Sequence, residues 1–436
     1  MKIRKKAADK INMITLGCSK NAVDSERLVR QLTAHSLEVV HNADISDART
    51  IIINTCGFIR DAKQESIDTI LHYAREKQKG SIDRLFVIGC LSERYRDDLA
   101  KELPEVDEFF GVNDLSAIIK TVGYNFRSDL VGERVLSTPP HYAYFKVSEG
   151  CNRRCSFCAI PMIRGKYRSK TLKELEQEAG FLAAIGVKEL LFIAQDLSFY
   201  GFDLYKDFRL ADLIKRISAI KGIEWIRLHY AYPQNFPVEI LSLMNEYENV
   251  CRYLDIPFQH ISDKLLKLMK RGHSEKQTYE LIHKFRKSVP DIALRTSLIV
   301  GFPGETEKDF EKLCSFVKDT EFERLGVFAY SHEENTWAGT NLKDSIPDKI
   351  KKERVDEIMR LQSAISLKNN QGFVGNTLKV IVDRKEGDAF IGRTEFDSPE
   401  VDNEVIIQSG KKLRPGTFCN VKITDASEFD LFGSVE

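Results

Sequence analysis

No apolar run in this chain is longer than a β-strand. Ile51–Ile53 and Leu190–Ala194 are typical, whereas a membrane helix needs roughly 20 such residues, so a membrane-spanning helix is excluded. Net charge is also lacking. Lysine plus arginine equals aspartate plus glutamate, 65 each, so no global field draws the protein to nucleic acid or acidic lipid, and any such binding must be local. There is no low-complexity tract, which together with 42% hydrophobic and 30% charged residues excludes a disordered, collagenous or fibrous chain. The nine histidines form no ligand spacing. Near the amino terminus, Lys2, Arg4, Lys5 and Lys6 resemble a signal n-region and Leu16-Gly17-Cys18 a lipoprotein cleavage box. However, Asp9, Lys10 and Asn12 interrupt the apolar core of about 7–15 residues that a signal needs. The expectation is a cytoplasmic protein, in which nine cysteines read as thiols or metal ligands rather than disulfides.

Three textures divide the chain, which at 436 residues and 49.9 kDa is too long for one ordinary core. Strand-like runs at Ile11–Leu16, Thr50–Asn54, Arg84–Gly89 and Val106–Phe110 alternate with helical stretches such as Asp24–Ala34 and Asp61–Lys77. That alternation predicts an α/β domain with a parallel sheet over residues 1–137, ending near the linker Thr138-Pro139-Pro140-His141. Six more β/α units follow in residues 138–370, with strands at Ala143–Ser148, Glu189–Ala194, Trp225–Leu228, Tyr253–Ile256, Ala293–Ile299 and Arg324–Phe328. The pattern fits a six-stranded open barrel or a doubly wound sheet. A charged helix, about 347–370, leads into residues 371–436, where short strands punctuated by glycine and proline predict a small all-β barrel.

The chemistry is concentrated in cysteine. Cys151, Cys155 and Cys158 lie in one C-x3-C-x2-C loop just after a strand. Zinc sites usually offer two C-x2-C pairs; three thiolates suit a 4Fe–4S cluster with one iron left open to a ligand. A zinc knuckle completed by a distant histidine is the bland alternative. The seven basic residues from Arg153 to Lys173, with no acid between Gly150 and Lys173, read either as a solvated loop or as compensation for a thiolate-rich cluster and an anionic substrate group. Upstream, Cys18, Cys56 and Cys90 each fall directly after one of the first three predicted strands. The carboxyl ends of parallel strands share one edge, so these three converge on a second candidate cluster. Cys314 lies on a helical stripe with Phe310, Leu313 and Val317, and Cys419 alternates with Val421 and Ile423, so both read as core; Cys251 is undecided.

The C-x3-C-x2-C loop after the first barrel strand resembles the signature of the radical S-adenosylmethionine (SAM) superfamily. Two cysteine trios with a small β-barrel resemble its methylthiotransferase family over nearly the whole chain. The matching pieces are Thr15–Asn21, Glu149–Ser169, Gln195-Asp196, Tyr200-Gly201 and Gly301–Thr306, and the last barrel resembles a TRAM domain. The resemblance implies an open (β/α)6 barrel and two 4Fe–4S clusters. It also implies SAM acting both as methyl donor and as source of a 5′-deoxyadenosyl radical, and a low-potential electron donor such as flavodoxin or ferredoxin. On the same basis Phe157, in the cluster loop, and Gln195 and Arg295, at strand ends, are candidate contacts to SAM.

Within that family, Gly17-Cys18-Ser19-Lys20-Asn21, Pro161-Met162-Ile163-Arg164-Gly165 and Asp255-Ile256-Pro257-Phe258-Gln259-His260 resemble the RimO-type branch. That branch modifies an aspartate β-carbon of the small-subunit ribosomal protein S-twelve, free or in the small subunit. The tRNA adenosine methylthiotransferases typically carry Gly-Cys-Gln-Met-Asn and Pro-Tyr-Thr-Arg-Gly at the first two of these places. Charge adds an independent argument. Residues 371–436 hold eight basic and twelve acidic residues, net −4, with Asp397, Glu400, Asp402 and Glu404 close together. Phosphate contacts dominate nucleic-acid affinity, so a basic protein is the expected partner and tRNA the alternative. A non-catalytic iron–sulfur or zinc scaffold is the rival from another class.

Overall fold

The computed structural model describes residues 10–43, 46–410 and 412–436. The basic residues Lys2 to Lys6 and Asp9 discussed above lie outside them. Among the described residues no helix is long and apolar enough to cross a membrane.

The first sheet contains β1 (Ile11–Thr15), β2 (Val39–His41), β3 (Thr50–Thr55), β4 (Arg84–Gly89) and β5 (Glu108–Phe109), all parallel, in the order β2-β1-β3-β4-β5. β3 is buried along its whole length, as a central strand covered on both faces must be. Helix Ser19–Thr33 packs one face through Leu28, Val29 and Leu32, and helix Arg60–Gln78 packs the other through Ile70 and Ala74. The strand order reverses between β1 and β3. In open α/β sheets, ligands bind beyond the carboxyl ends of the strands at such a reversal, and Cys18 and Cys56 stand there. The three-residue edge strand β2 escapes the sequence pattern, so the upstream cysteines follow β1, β3 and β4 rather than the first three strands.

The second sheet settles the choice between barrel and doubly wound architecture. β6 (Tyr142–Lys146) is followed by the short hairpin β7 (Ser148–Glu149) and β8 (Arg168–Ser169). Next come β9 (Glu189–Ile193), β10 (Trp225–Leu228), β11 (Val250–Asp255), β12 (Ala293–Val300) and β13 (Arg324–Ala329). The six long strands lie in strict chain order, β6-β9-β10-β11-β12-β13, every pair parallel, and β6 and β13 remain unpaired edges. With no reversal of order this is a singly wound, open six-stranded barrel. Reciprocal capping boxes at Thr171/Glu174, Ser274/Gln277 and Thr306/Asp309 start three of its helices. Gly301–Thr306 is accordingly a tight strand-to-helix turn.

The chain ends in a closed barrel, β14 (Thr377–Glu386), β15 (Ala389–Arg393), β16 (Glu404–Gln408), β17 (Phe418–Ala426) and β18 (Asp430–Val435), ordered β14-β15-β16-β18-β17. It plugs the amino-terminal mouth of the six-stranded barrel. The contacts are made by residues that begin their strands. Glu189 takes Arg393 at 2.8 Å, Tyr142 donates to Glu400 at 3.1 Å, and Trp225 packs edge-on against Phe418. Cys251 and Ala293 complete an apolar patch with Ile381, which gives Cys251 a packing role; Cys314 and Cys419 also pack with core residues.

This seam corrects the expectation of an acidic face open to a basic partner. Asp397 is buried against Arg324 (Nε at 2.9 Å), and Asp402 accepts from Tyr253 at 2.7 Å and Arg295 at 3.2 Å. Glu400 accepts from Tyr142 and Tyr144, and Glu404 pairs with Arg384. Asp397, Glu400 and Asp402 are adjacent in sequence because the loop joining β15 to β16 docks on arginines and tyrosines of the larger barrel, whereas Glu404 pairs within the small barrel.

Candidate active site

The hairpin β7–β8 closes the base of the C-x3-C-x2-C loop, pairing Ser148 with Ser169 and Glu149 with Arg168. Gly150, at φ +76°, makes the turn into the loop; a Cβ there would press into the Lys166 carbonyl. The loop is then sewn to the barrel. The Ser156 amide donates to the Met269 carbonyl at 3.0 Å, and the Ala338 amide to the Ser156 carbonyl at 2.7 Å. Two of the sulfurs face donors: Cys151 Sγ accepts from the Arg153 amide at 3.4 Å, and Cys155 Sγ accepts from Arg271 at 3.2 Å and lies 3.6 Å from the Tyr232 hydroxyl, which itself donates to the Arg271 carbonyl. Burial pushes the Cys151 thiol up to about 11 and raises Cys158 as well. A metal on these sulfurs would favour their thiolate forms.

The upstream trio forms on the sheet edge. Gly17, at φ +89°, lets the chain pass so close that a Cβ would lie 2.7 Å from Cys56 Cβ. The Cys56 amide donates to Ser66 Oγ at 3.0 Å. Cys90 opens helix Cys90–Glu102. Burial raises both thiols, Cys90 to about 12, and the nearby Cys18 raises both further while Arg164 opposes it. These three cysteines thus share one locus.

The two trios face one another. Cys90 packs against Ala159 and Ile163, the turn directly after Cys158. From that turn Arg164, 2% exposed, reaches back to Cys90 Sγ at 3.4 Å and Asn21 Oδ1 at 2.6 Å, and its other nitrogen meets Asp24 and Glu149. On the far side Lys63 and Arg94, from the helices after Cys56 and Cys90, grip Glu333 beyond β13 at 2.9 and 2.7 Å. Among the described residues no three His, Cys, Asp or Glu side chains, the two cysteine trios included, converge closely enough to hold a single metal ion. The donors are all thiols, with nitrogen donors turned to sulfur, and orphaned polar atoms stand alongside: Gln195 Oε1, Asp196 Oδ1 and Arg271 Nε are buried without partners. Such a set fits a thiolate-bound iron–sulfur cluster with room for a polar ligand.

The structure brings some of the proposed SAM contacts to this place and not others. Phe157 packs edge-on with Phe302 beside Met269. Gln195 donates to Glu149 at 3.0 Å. Arg295 is held by Asp255 and Asp402 in the seam with the small barrel, away from the sulfurs. Sequence reasoning named Arg164 only as one of the basic run and did not single out Arg271, Tyr232 or the Arg94–Glu333 pair. Arg164 stood in the basic run after the cysteines and was legible as a candidate there; Arg271 and Glu333 carry no local signal.

Residues 145–317 match the Radical SAM superfamily, residues 10–111 the uncharacterized protein family UPF0004, and residues 374–435 the TRAM domain. The chain is 53% identical over 436 residues, all of both chains, to Ribosomal protein uS12 methylthiotransferase RimO of Cytophaga hutchinsonii. It is 54% identical over 435 residues, 99% of both, to the protein of the same name in Flavobacterium johnsoniae. Among solved structures, the radical S-adenosylmethionine methyltransferase TsrM of Kitasatospora setae, with cobalamin and a 4Fe–4S cluster bound, aligns at TM-score 0.55 and 15% identity. That alignment covers 76% of this chain and 77% of the other, a likeness of fold.

Proposed function

From a chain that belongs to the ribosomal protein uS12 methylthiotransferase family, we infer that this enzyme inserts sulfur and a methyl group at the β-carbon of an aspartate in ribosomal protein S-twelve. It is a radical SAM methylthiotransferase and uses SAM and an iron–sulfur cluster. In our reading Cys151, Cys155 and Cys158 hold that cluster and Cys18, Cys56 and Cys90 hold a second. When bound, the first supplies the electron that opens SAM to a 5′-deoxyadenosyl radical, and the second carries the sulfur that is methylated and delivered. A radical is needed because no side-chain acid or base at ordinary pKa removes hydrogen from such a carbon.

The chain's own residues set the stage. Arg271 and the Arg153 amide direct hydrogens at the barrel sulfurs, and Arg164 does so at Cys90, offsetting thiolate charge. Glu149 ties the two sites together. Burial alone would raise its carboxyl, but Lys146 and Arg164 outweigh this and hold it well below the usual range. The amino-terminal domain packs on the barrel's cysteine-bearing rim through Cys90, Arg94 and Lys63. Phe157 and Gln195 remain our candidate contacts to SAM, and a low-potential donor of the flavodoxin or ferredoxin kind completes the electron supply.

The observation that carries this reading is the contact of the two trios, Cys90 against the turn after Cys158 with Arg164 between them. A sulfur-bearing group can then stand next to the carbon from which hydrogen is removed. Reconstituted enzyme incubated anaerobically with reductant, SAM and either a peptide of the ribosomal protein or tRNA should add a methylthio group to the peptide, seen by mass analysis. Modification of tRNA with untouched peptide would give the chain the adenosine substrate instead.

A further inference from the structure

A carboxylate entering a buried site stays ionised only if a cation meets it. The aspartate proposed above as substrate carries its carboxylate on the very carbon that reacts, so a cation near the cysteine trios is needed to receive it. Most of those nearby are taken. Arg164 and Lys146 are both bound to Asp24 and Glu149, Arg153 to Asp196, Lys63 and Arg94 to Glu333, and Arg295 to Asp255 and Asp402. Arg271, also without a carboxylate partner, gives its terminal nitrogens to Cys155 Sγ and the Pro257 carbonyl and leaves Nε unpartnered.

Lys20 is different. It is 9% exposed, two residues past Cys18, and next to Asn21, which touches both Cys90 and Arg164. Its ammonium crosses to the barrel and rests 3.0 Å from the centre of the Tyr230 ring, two residues before the tyrosine whose hydroxyl faces Cys155. Among the described residues it has no carboxylate partner. A ring face repays only part of the water an ammonium gives up. Tyr230 itself is held at φ +60°, a left-handed conformation unusual for a bulky residue and one that clusters at functional sites.

We propose that Lys20 is the receptor for the side-chain carboxylate of the substrate aspartate, with Tyr230 as the platform that holds its ammonium between the two cysteine trios. The assignment rests on the reading that the substrate is an aspartyl residue of a protein. It makes Lys20 a specificity-determining residue, because an asparagine at the target position presents no charge to the ammonium.

The test compares full-length reconstituted wild type, Lys20→Met and Lys20→Arg, each with measured iron content, on ribosomal-protein peptides bearing aspartate or asparagine at the modified position. Peptide affinity is measured by fluorescence anisotropy and methylthio transfer by mass analysis. Lys20→Met should lower the aspartate-over-asparagine preference by roughly 10- to 100-fold, the range of a hydrogen bond to a charged group, and Lys20→Arg should recover much of it. A merely structural lysine would weaken both peptides alike. The other carboxylate available is that of the methionine part of SAM, so half-saturation by SAM is followed in substrate-free cleavage. A shift there with an unchanged aspartate preference overturns the assignment, as does an unchanged preference in iron-replete Lys20→Met. If wild type modifies only tRNA, the functional reading falls and this assignment with it, an outcome distinguished by the wild-type arm alone.

Discussion

The two mouths of the six-stranded barrel are built from the same residue types and treat them differently. At the amino-terminal mouth, where the small barrel docks, arginine after arginine is matched to a carboxylate: Arg324 to Asp397, Arg393 to Glu189 and Asp383, Arg227 to Glu189 and Arg295 to Asp402. At the carboxyl-terminal mouth Arg271 points at a sulfur, Lys20 lies on a ring, and Gln195 and Asp196 each leave one oxygen without a partner. The first mouth is satisfied by the protein itself and is structural. The second is paired in part, through Arg153 with Asp196, Arg164 and Lys146 with Asp24 and Glu149, and Lys63 and Arg94 with Glu333. What separates the site from the seam is the small remainder of polar groups left over beside the sulfurs.

The largest effects should come from the carboxyl-terminal mouth and should divide by trio. Changing Cys18, Cys56 and Cys90 together to alanine should abolish methylthio transfer to the peptide while SAM is still cleaved to 5′-deoxyadenosine, read by chromatography. Cys155→Ala should stop that cleavage as well. Sulfur delivery by the upstream triple variant would remove the proposed difference between the trios.

Much of that mouth was legible in the sequence, because a cysteine trio within eight residues needs no tertiary information. The upstream trio was legible only through topology: three cysteines at strand ends meet if the strands are parallel neighbours, and β1, β3 and β4 are. The omitted β2 did not spoil this, since it pairs on the outer side of β1. The amino-terminal mouth was not legible at all. Asp397, Glu400 and Asp402 looked like a free acidic cluster because their partners, Arg324, Tyr142, Tyr144, Tyr253 and Arg295, lie between 73 and 258 positions away, and no local pattern encodes such a pairing. The pairing of Arg295 with Asp255 and Asp402 was hidden for the same reason.

A second effect, smaller for chemistry and large for stability, should come from the seam. Arg324→Gln leaves Asp397, 1% exposed, without its buried counter-charge, a loss that costs roughly 3–5 kcal/mol. Its melting temperature should fall well below that of wild type, while methylthio transfer per folded, iron-replete enzyme stays near the wild-type rate. Transfer lost without any loss of stability would mean that the seam takes part in the chemistry.

The smallest effect is one of pH. Burial pushes the carboxyls of Glu189 and Asp383 up, but Arg393 outweighs it for both, aided by Arg227 at Glu189 and His141 at Asp383, and both are held below their ordinary values. A carboxyl depressed in the folded state binds its proton less readily than in the unfolded chain. The stability it contributes is therefore complete above the ordinary carboxylate range and is lost as pH falls through that range toward the depressed value. Melting temperature should hold down to about pH 5 and drop as pH falls through about 4 and below, and Glu189→Gln should show a shallower drop from a lower starting point. An unchanged slope in that variant would take Glu189 out of the seam's acid response.

The account depends most on there being two clusters, one for each trio, at the carboxyl-terminal mouth. Iron and acid-labile sulfide per chain, measured after anaerobic reconstitution of wild type and of the variant with Cys151, Cys155 and Cys158 all changed to alanine, test this directly. Wild type should hold close to twice as much of each as the variant. Equal iron in the two proteins, or stoichiometric zinc in place of iron, would contradict it.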